Sequence, residues 1–363
     1  MKLFLLSADS GIAPDGTKGA SVHLREWAHA LTEAGVSVVA FSARAAQTAT
    51  TVPFHDLAGG AALSSACKDQ GVPDLVYERY SLGSEIGLHL AQEMRVPFVL
   101  EVNAPLVDEA LKYRQSTVKS EDKATEKRLL REANLVVVVS EALRDWVVQE
   151  GRTGPTLVVR NGCNEALYGE ARRHSERPPT MAFLGHPKPW HGAERVLPLI
   201  QALDAEGTRL RFLIIGGGPI AQEITLRAAT LGLADAVEVT GPLRSHEVAA
   251  ALQTAQFSIA PYERIPFFYF SPLKIMESMM AGVPVLTTDQ GDLKSLVGAG
   301  GVVVPPESDE ALGRAMGQLA RDPLLCSRLG ALARERAMLE FTWRRAVETF
   351  LQAVAGMIRS HVP

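Results

Sequence analysis

The stretch from Gln256 to Leu286 constrains this chain most. It runs Gln256-Phe257-Ser258-Ile259-Ala260, then a loop with Tyr262, Glu263, Arg264 and the four aromatics Phe267, Phe268, Tyr269 and Phe270. It continues Ser271-Pro272-Leu273-Lys274-Ile275-Met276-Glu277-Ser278-Met279-Met280-Ala281, and closes with Gly282 and Pro284. The pattern predicts a short buried strand over 256–260 and a helix over 272–281. A strand that feeds through a loop into a helix is where α/β proteins bind anions, because the first amides of the helix have no intrahelical acceptor. Ser271 suits the N-cap, Pro272 the first helical position, and Lys274 adds positive charge. Glu277 follows one turn later, placed to accept hydrogen bonds from a sugar diol. The bland alternative is a capped helix on a sheet edge, but aromatics in a row beside Glu263 and Arg264 are an unusual way to make a mere connection.

The rest of the chain repeats the strand-and-helix alternation. Lys2 to Ser7 is a strand, Asp9 to Ala20 a Gly- and Asp-rich loop, and Ser21 to Ala34 a helix closed by Gly35 whose apolar side carries Val22, Leu24, Trp27, Ala28 and Leu31, with His23, Arg25 and Glu26 elsewhere. Val36 to Phe41 completes a βαβ opening of the doubly wound kind. The segment from Arg44 to Gly71 has no readable pattern. Asp74 to Tyr77 and Pro97 to Val102 are strands, and the second ends in Glu101-Val102-Asn103, polar groups badly placed for packing and well placed for a ligand. A charged helical region runs from Leu106 to Ala133, Leu135 to Val139 is a strand, Ser140 caps the next helix, and Thr156 to Arg160 is a last strand. Tyr168 to Pro179, rich in Gly, Arg, Glu and Pro, reads as a linker.

Beyond the linker the alternation begins again with a strand over Thr180 to Leu184 and a helix from about His191. A strand over Arg211 to Ile215 leads to the turn Gly216-Gly217-Gly218-Pro219. The tail from Pro323 to Ser360 is helical with a break near Phe341 and Thr342. With 363 residues and 47% hydrophobic content the chain can bury two cores. Its net charge of -4, without a polybasic run, argues against nucleic acid as a partner. Cys67, Cys163 and Cys326 have neither metal-ligand nor redox spacing, which predicts free thiols in a reducing compartment. No segment approaches a membrane span, so a soluble, cytoplasmic protein is expected.

The 256–286 stretch resembles the donor-binding signature of glycosyltransferase family 4, in which two acidic residues with seven residues between them precede an Ala-Gly-x-Pro-Val ending. Glu277, Ala281, Gly282, Pro284 and Val285 match it, whereas Tyr269 stands at the first acidic position. The motifs Lys188-Pro189-Trp190-His191-Gly192 and Ser271-Pro272-Leu273-Lys274-x-x-Glu277 are similar to those of a subgroup of that family. Further counterparts follow in the right order, from Gly19 to Glu26, Val102 to Pro105, Asn161-Gly162, Phe183 to Gly192 and Gly216 to Pro219.

The resemblance implies a GT-B architecture, two Rossmann-like doubly wound α/β domains facing each other across a cleft. Residues 1–170 would form the acceptor-binding domain and 180–340 the nucleotide-sugar-binding domain, with a closing helix over 343–360 crossing back to the first. It implies a retaining transfer from a nucleoside diphosphate sugar, with neither metal nor cofactor, to an acceptor for which a small soluble molecule is favoured. A homodimer is compatible with the sequence. Family members usually carry Arg and Lys where this chain has His186 and His191, so Lys188 and Lys274 are the fixed charges available. His191, Lys274, Glu277 and Asn103 are the expected catalytic set, Asn103 standing where His is common. Gly19, His186, Lys188, Gly216, Leu243, Arg244, Tyr269, Ser271, Pro272 and Leu273 are expected to bind the donor, with Glu263 as a stand-in for the missing acid. His23, Arg79, Glu101 and Glu109 are expected to bind the acceptor. A 2-epimerase-like enzyme of related architecture, or an idle nucleotide-sugar-binding subunit, are the competing readings.

Glu277→Ala is expected to weaken nucleotide-sugar binding more than tenfold, since a diol contact to a charged acceptor contributes roughly 1.5–3 kcal/mol. Unchanged affinity in titration calorimetry removes the ribose assignment.

Overall fold

The computed structural model describes residues 1–57, 70–113, 118–169 and 178–359. Cys67, residues 58–69 of the patternless segment and most of the linker lie outside them. The chain divides into two compact units, one made of Met1–Asn161, Tyr269–Ser271 and Trp343–Pro363, the other of Gly162–Phe268 and Pro272–Thr342.

The first unit opens with β1 (Lys2–Ser7), α1 (Gly19–Glu33), β2 (Ser37–Ser42), β3 (Phe54–Asp56) and β4 (Leu75–Arg79). It goes on through α2 (Ile86–Met94), β5 (Phe98–Val102), α3 (Leu106–Tyr113), α4 (Ser120–Glu132), β6 (Leu135–Val138), α5 (Glu141–Gln149) and β7 (Thr156–Val158). The strands form one parallel sheet in the order β3-β2-β1-β4-β5-β6-β7. The central strands are apolar on both faces because helices cover both faces of such a sheet, and Leu3, Phe4, Leu5 and Leu6 are all fully buried.

The second unit repeats the plan with β8 (Thr180–Leu184), α6 (Val196–Ala205), β9 (Arg211–Ile215), α7 (Pro219–Thr230), β10 (Val237–Val239), α8 (Ser245–Leu252) and β11 (Phe257–Ala260). It closes with α9 (Leu273–Met280), β12 (Val285–Thr288), α10 (Leu293–Val297), β13 (Gly301–Val304), α11 (Asp309–Arg321) and α12 (Pro323–Glu340). Its sheet is parallel in the order β10-β9-β8-β11-β12-β13. Its core includes Met181, Phe183, Phe212, Ile214, Phe257 and Leu286. In each sheet the strand order reverses beside the first strand, the point at which open α/β sheets bind ligands beyond their strand ends.

The last helix, α13 (Trp343–Arg359), belongs to the first unit. Phe350 seats it there, with ring centroids 5.5 Å from Trp27 and 5.3 Å from Tyr77. Among the described residues no helix is long and apolar enough to cross a membrane. Cys163 and Cys326 are buried free thiols.

Several sequence expectations need correction. The charged region 106–133 is two helices, α3 and α4, not one. The helix expected from His191 starts at Val196, after 3₁₀ turns at Pro189–His191 and Ala193–Arg195. The second unit begins at Gly162, earlier than composition suggested. The cause is pairing across the unit: Cys163 bridges Thr342, its N–H donates to the Phe341 carbonyl at 2.7 Å, and the Tyr168 carbonyl accepts from Arg334 Nη2 at 3.1 Å.

Phe350→Ala is expected to cost the first unit about 3–5 kcal/mol by leaving a cavity against Trp27 and Tyr77. Chemical denaturation followed by tryptophan fluorescence reads this as an earlier unfolding midpoint, and an unmoved midpoint shows that α13 adds nothing to that core.

Candidate functional site

In the second unit the order reverses between β8 and β11, and three loops meet at those strand ends. The loop after β8 touches the loop after β9 backbone to backbone. Gly216 has φ +144°, and a Cβ there would stand 2.4 Å from the Gly185 carbonyl oxygen. The same holds at Gly192, φ +63°, where a Cβ would stand 2.3 Å from the Pro261 carbonyl oxygen. Only glycine fits either place, so these residues draw the loops together.

The contact positions His191 and Lys274. His191 Nδ1 accepts the backbone N–H of Lys188 at 3.1 Å and lies 3.4 Å from Lys274 Nζ. The ring proton is therefore on Nε2. Lys274, on the first turn of α9, holds its ammonium 4.2 Å from the ring centroid of Phe183 and 5.8 Å from that of Tyr262. Tyr262 in turn packs edge-on to His191 at 5.4 Å. Two aromatic faces and an imidazole thus surround the amine, a setting that favours a cation through ring quadrupoles but gives it little water. Burial wins: the Lys274 pKa falls to about 7, against the opposing pull of Glu277. His191 is pushed down to about 2, by burial first and then by Lys274 and Lys188. In the free protein it is a neutral donor, and Lys274 is the group that titrates near neutrality.

The remaining expected residues of this unit are less concentrated. His186 is exposed, with its ring alongside Gly218, and Lys188 is exposed. Glu277 is half-buried one turn along α9, and Leu243 is half-buried before α8. Arg244 lies on the surface, with both its backbone N–H and its guanidinium on the Glu247 carboxylate at 2.8 and 3.1 Å. Glu263 is exposed beside Gly192. Sequence reasoning missed Phe183 and Tyr262 as walls around Lys274, although an aromatic at a strand end beside a glycine loop was a usable signal. It also missed Gln290, which shapes the loop after β11: its Oε1 accepts from Ile265 N at 2.7 Å and its Nε2 donates to the Glu263 carbonyl at 2.8 Å.

The first unit carries a second cluster where its order reverses between β1 and β4. His23, expected off the apolar side of α1, is buried. Its Nε2 lies 2.5 Å from Glu101 Oε1 and its Nδ1 2.7 Å from Asn161 Oδ1. Asn161 Nδ2 donates to the Ser271 carbonyl at 2.7 Å, which fixes the way its amide faces. Burial alone would raise the Glu101 pKa, but His23 and Arg79 outweigh it and hold the carboxyl at about 2. Arg79 Nη1 stands 3.7 Å from Glu101 Oε2, and Asn103 follows the end of β5.

The structure therefore brings His23, Arg79 and Glu101 together, and adds Asn161. The Glu109 carboxylate accepts instead from the hydroxyl of Tyr269. Tyr269 and Ser271 pack with the first unit and not with the unit that contains Lys274. Ser271 does not cap α9: its Oγ accepts from Asn161 N at 3.4 Å, while Pro272 occupies the N-cap and Leu273 the first helical position. Gly19 opens α1, exposed.

Residues 18–162 match the family model described as Glycosyl transferase 4-like domain, and residues 178–322 match Glycosyl transferases group 1. The MMP alpha-(1->4)-mannosyltransferase of Mycolicibacterium hassiacum is 28% identical over 306 residues, 78% of this chain and 71% of its own. The fold is shared with sucrose-phosphate synthase from Thermosynechococcus elongatus, at a TM-score of 0.78 and 18% identity, covering 98% of this chain and 99% of that one. It is shared also with Anabaena HepE in complex with UDP, at a TM-score of 0.74 and 16% identity, covering 98% and 100%.

Lys274 has a folded pKa near 7 against an ordinary value of 10.5. The unfolded chain therefore binds the extra proton between those values, and stability from this group rises with pH across that window. Lys274→Met is expected to stabilise the protein most below pH 7, with the gain shrinking towards pH 10.5. Urea denaturation at pH 6, 8 and 9.5 reads it, and a pH-independent difference means the amine is not desolvated.

Proposed function

This chain belongs to the glycosyltransferases, its first domain to the 4-like family and its second to group 1, and we propose that it moves a sugar from a nucleoside diphosphate sugar to a small polar acceptor with retention of configuration. It is a transferase enzyme, built of two parallel-sheet Rossmann-like domains. One observation carries the donor reading: Lys274 and His191 meet 3.4 Å apart at the switch point of the second sheet, next to the first turn of α9.

The chemical task is to stabilise charge developing on a departing diphosphate. An ammonium desolvated by Phe183 and Tyr262 has lost much of its water in advance, so an arriving phosphate gains a strong ion pair at little further desolvation cost. His191, neutral with its proton on Nε2, supplies a second donor without a second charge. The free backbone N–H groups at the start of α9 add to the same anion-binding end. Lys274 and His191 take over, in this reading, from the Arg-Lys pair usual in family 4, which makes the Lys-Pro-Trp-His-Gly and Ser-Pro-Leu-Lys-x-x-Glu motifs one device. Glu277 binds the donor ribose. The first unit receives the acceptor through His23, Arg79 and Glu101.

Asn103 has no group that can take a proton from the acceptor, and Glu101 is committed to His23. The departing diphosphate itself is then the base, on the same face of the sugar as the attacking hydroxyl, and the reaction needs neither metal nor cofactor. The UDP complex of HepE makes uridine nucleotides the first donors to try.

Anion binding raises the Lys274 pKa, so donor affinity is greatest below pH 7. It is expected to fall by up to about tenfold per pH unit above 7, until the pKa of the complex is reached. Calorimetry with UDP and other nucleoside diphosphates between pH 6 and 9 reads the slope. Lys274→Arg flattens it, Lys274→Ala lowers affinity at least about tenfold at pH 6.5, and His191→Ala weakens binding with the slope kept. A flat wild-type profile, or normal sugar transfer by Lys274→Ala, overturns the assignment.

A further inference from the structure

We propose that the polar cluster at the strand-order reversal of the first sheet binds an anionic group, phosphate or carboxylate, on a hydroxylated acceptor, an inference that rests on the transferase reading above. Arg79 is only 8% exposed, yet its Nη1 has no hydrogen-bond partner. The nearest carboxylate oxygen, Glu101 Oε2 at 3.7 Å, is an ionic neighbour beyond hydrogen-bond reach. Ser7 Oγ, whose residue stands in register with Arg79 on the adjacent strand, is likewise shielded and without a hydrogen-bond partner. Buried donors are almost always paired in folded proteins, so unpaired ones gathered at a ligand-binding strand end point to an absent partner.

The charges say what kind of partner. Arg79 is cationic, and the carboxylate nearest to it, Glu101, also takes His23 Nε2 at 2.5 Å. Its Oε1 is engaged by His23, while its Oε2 stays 3.7 Å from the Arg79 guanidinium. Glu78, next to Arg79 on β4, faces the other side of the sheet, where it accepts from Ser84 Oγ at 2.7 Å and Gly87 N at 3.0 Å. Glu109 takes the Tyr269 hydroxyl. The guanidinium so keeps an unused donor in a place with little water, and a neutral polyol would accept that hydrogen bond without answering the charge of Arg79. An oxyanion does both, accepting from Arg79 Nη1 and from the Ser7 hydroxyl.

The full chain carrying Lys274→Ala, which removes the amine of the second unit, is titrated with inorganic phosphate, glycerol 3-phosphate, glycerate and glycerol. Saturable binding of phosphate is expected, with glycerol 3-phosphate or glycerate at least tenfold tighter than glycerol. The stronger of those two identifies the anion as phosphate or carboxylate. Adding Arg79→Gln should weaken anion binding at least tenfold and leave glycerol unchanged, and Arg79→Lys should restore part of it. If Arg79→Gln unfolds, Asn103→Asp, which sets a carboxylate against the incoming anion, must produce the same loss. Equal binding of glycerol and its phosphate, no phosphate binding, or phosphate binding untouched by these variants overturns the proposal while nucleoside diphosphate binding by the wild type leaves the transferase reading intact. Conversely, loss of phosphate on Arg79→Gln in a chain whose wild type binds no nucleoside diphosphate upholds the anion site and overturns the transferase reading.

Discussion

The second unit is arranged around an amine that is denied its water. Lys274 is held against Phe183 and Tyr262, with His191 Nδ1 at 3.4 Å, and its pKa drops to about 7. A lysine in such a place is costly to the fold and gains its return when an anion arrives. Much of the surrounding structure serves to keep the rings in position. Gly192 lets the Pro261 carbonyl approach, Gly216 lets the Gly185 carbonyl approach, and Gln290 ties the loop that carries Tyr262 through Ile265 N and the Glu263 carbonyl. His191 follows the same logic. With its Nδ1 committed to the Lys188 N–H and a lysine on either side, it stays neutral, so the site has one titrating cation and not two.

The first unit solves a different electrostatic problem at the equivalent point of an equivalent sheet. Glu101 is buried at the end of β5, where a carboxylate alone would be protonated, and stays ionised because His23 and Arg79 face it. Asn161 then orients His23 from the far side, through an amide whose own direction is set by the Ser271 carbonyl. The Ser271 end of the motif is therefore committed to this cluster, which is why it cannot also cap α9. One stretch of sequence thus contributes to two chemically unlike clusters: Ser271 to the acidic and imidazole-containing one, Lys274 to the amine cage.

The sequence by itself determined the parallel α/β plan, because alternating apolar strands and capped helices leave few other ways to bury 47% hydrophobic content. It determined that the 256–286 stretch forms strand, loop and helix, and that Lys274 and Glu277 share the helix, since helical period and breaker residues are local properties. It placed Glu101 and Asn103 at a strand end, where polar groups mark a ligand. Tertiary structure decided what each group does there. That Lys274 has Phe183, Tyr262 and His191 as neighbours depends on strands distant in the chain lying side by side, as β8 and β11 do. Burial, which no local pattern reports for a titratable side chain, made His191 neutral and Lys274 the titrating group. The same reason governs Ser271, a good N-cap by type whose hydroxyl was claimed by Asn161, 110 positions away, and His23, whose polar side chain is buried because Glu101 and Asn161 receive it.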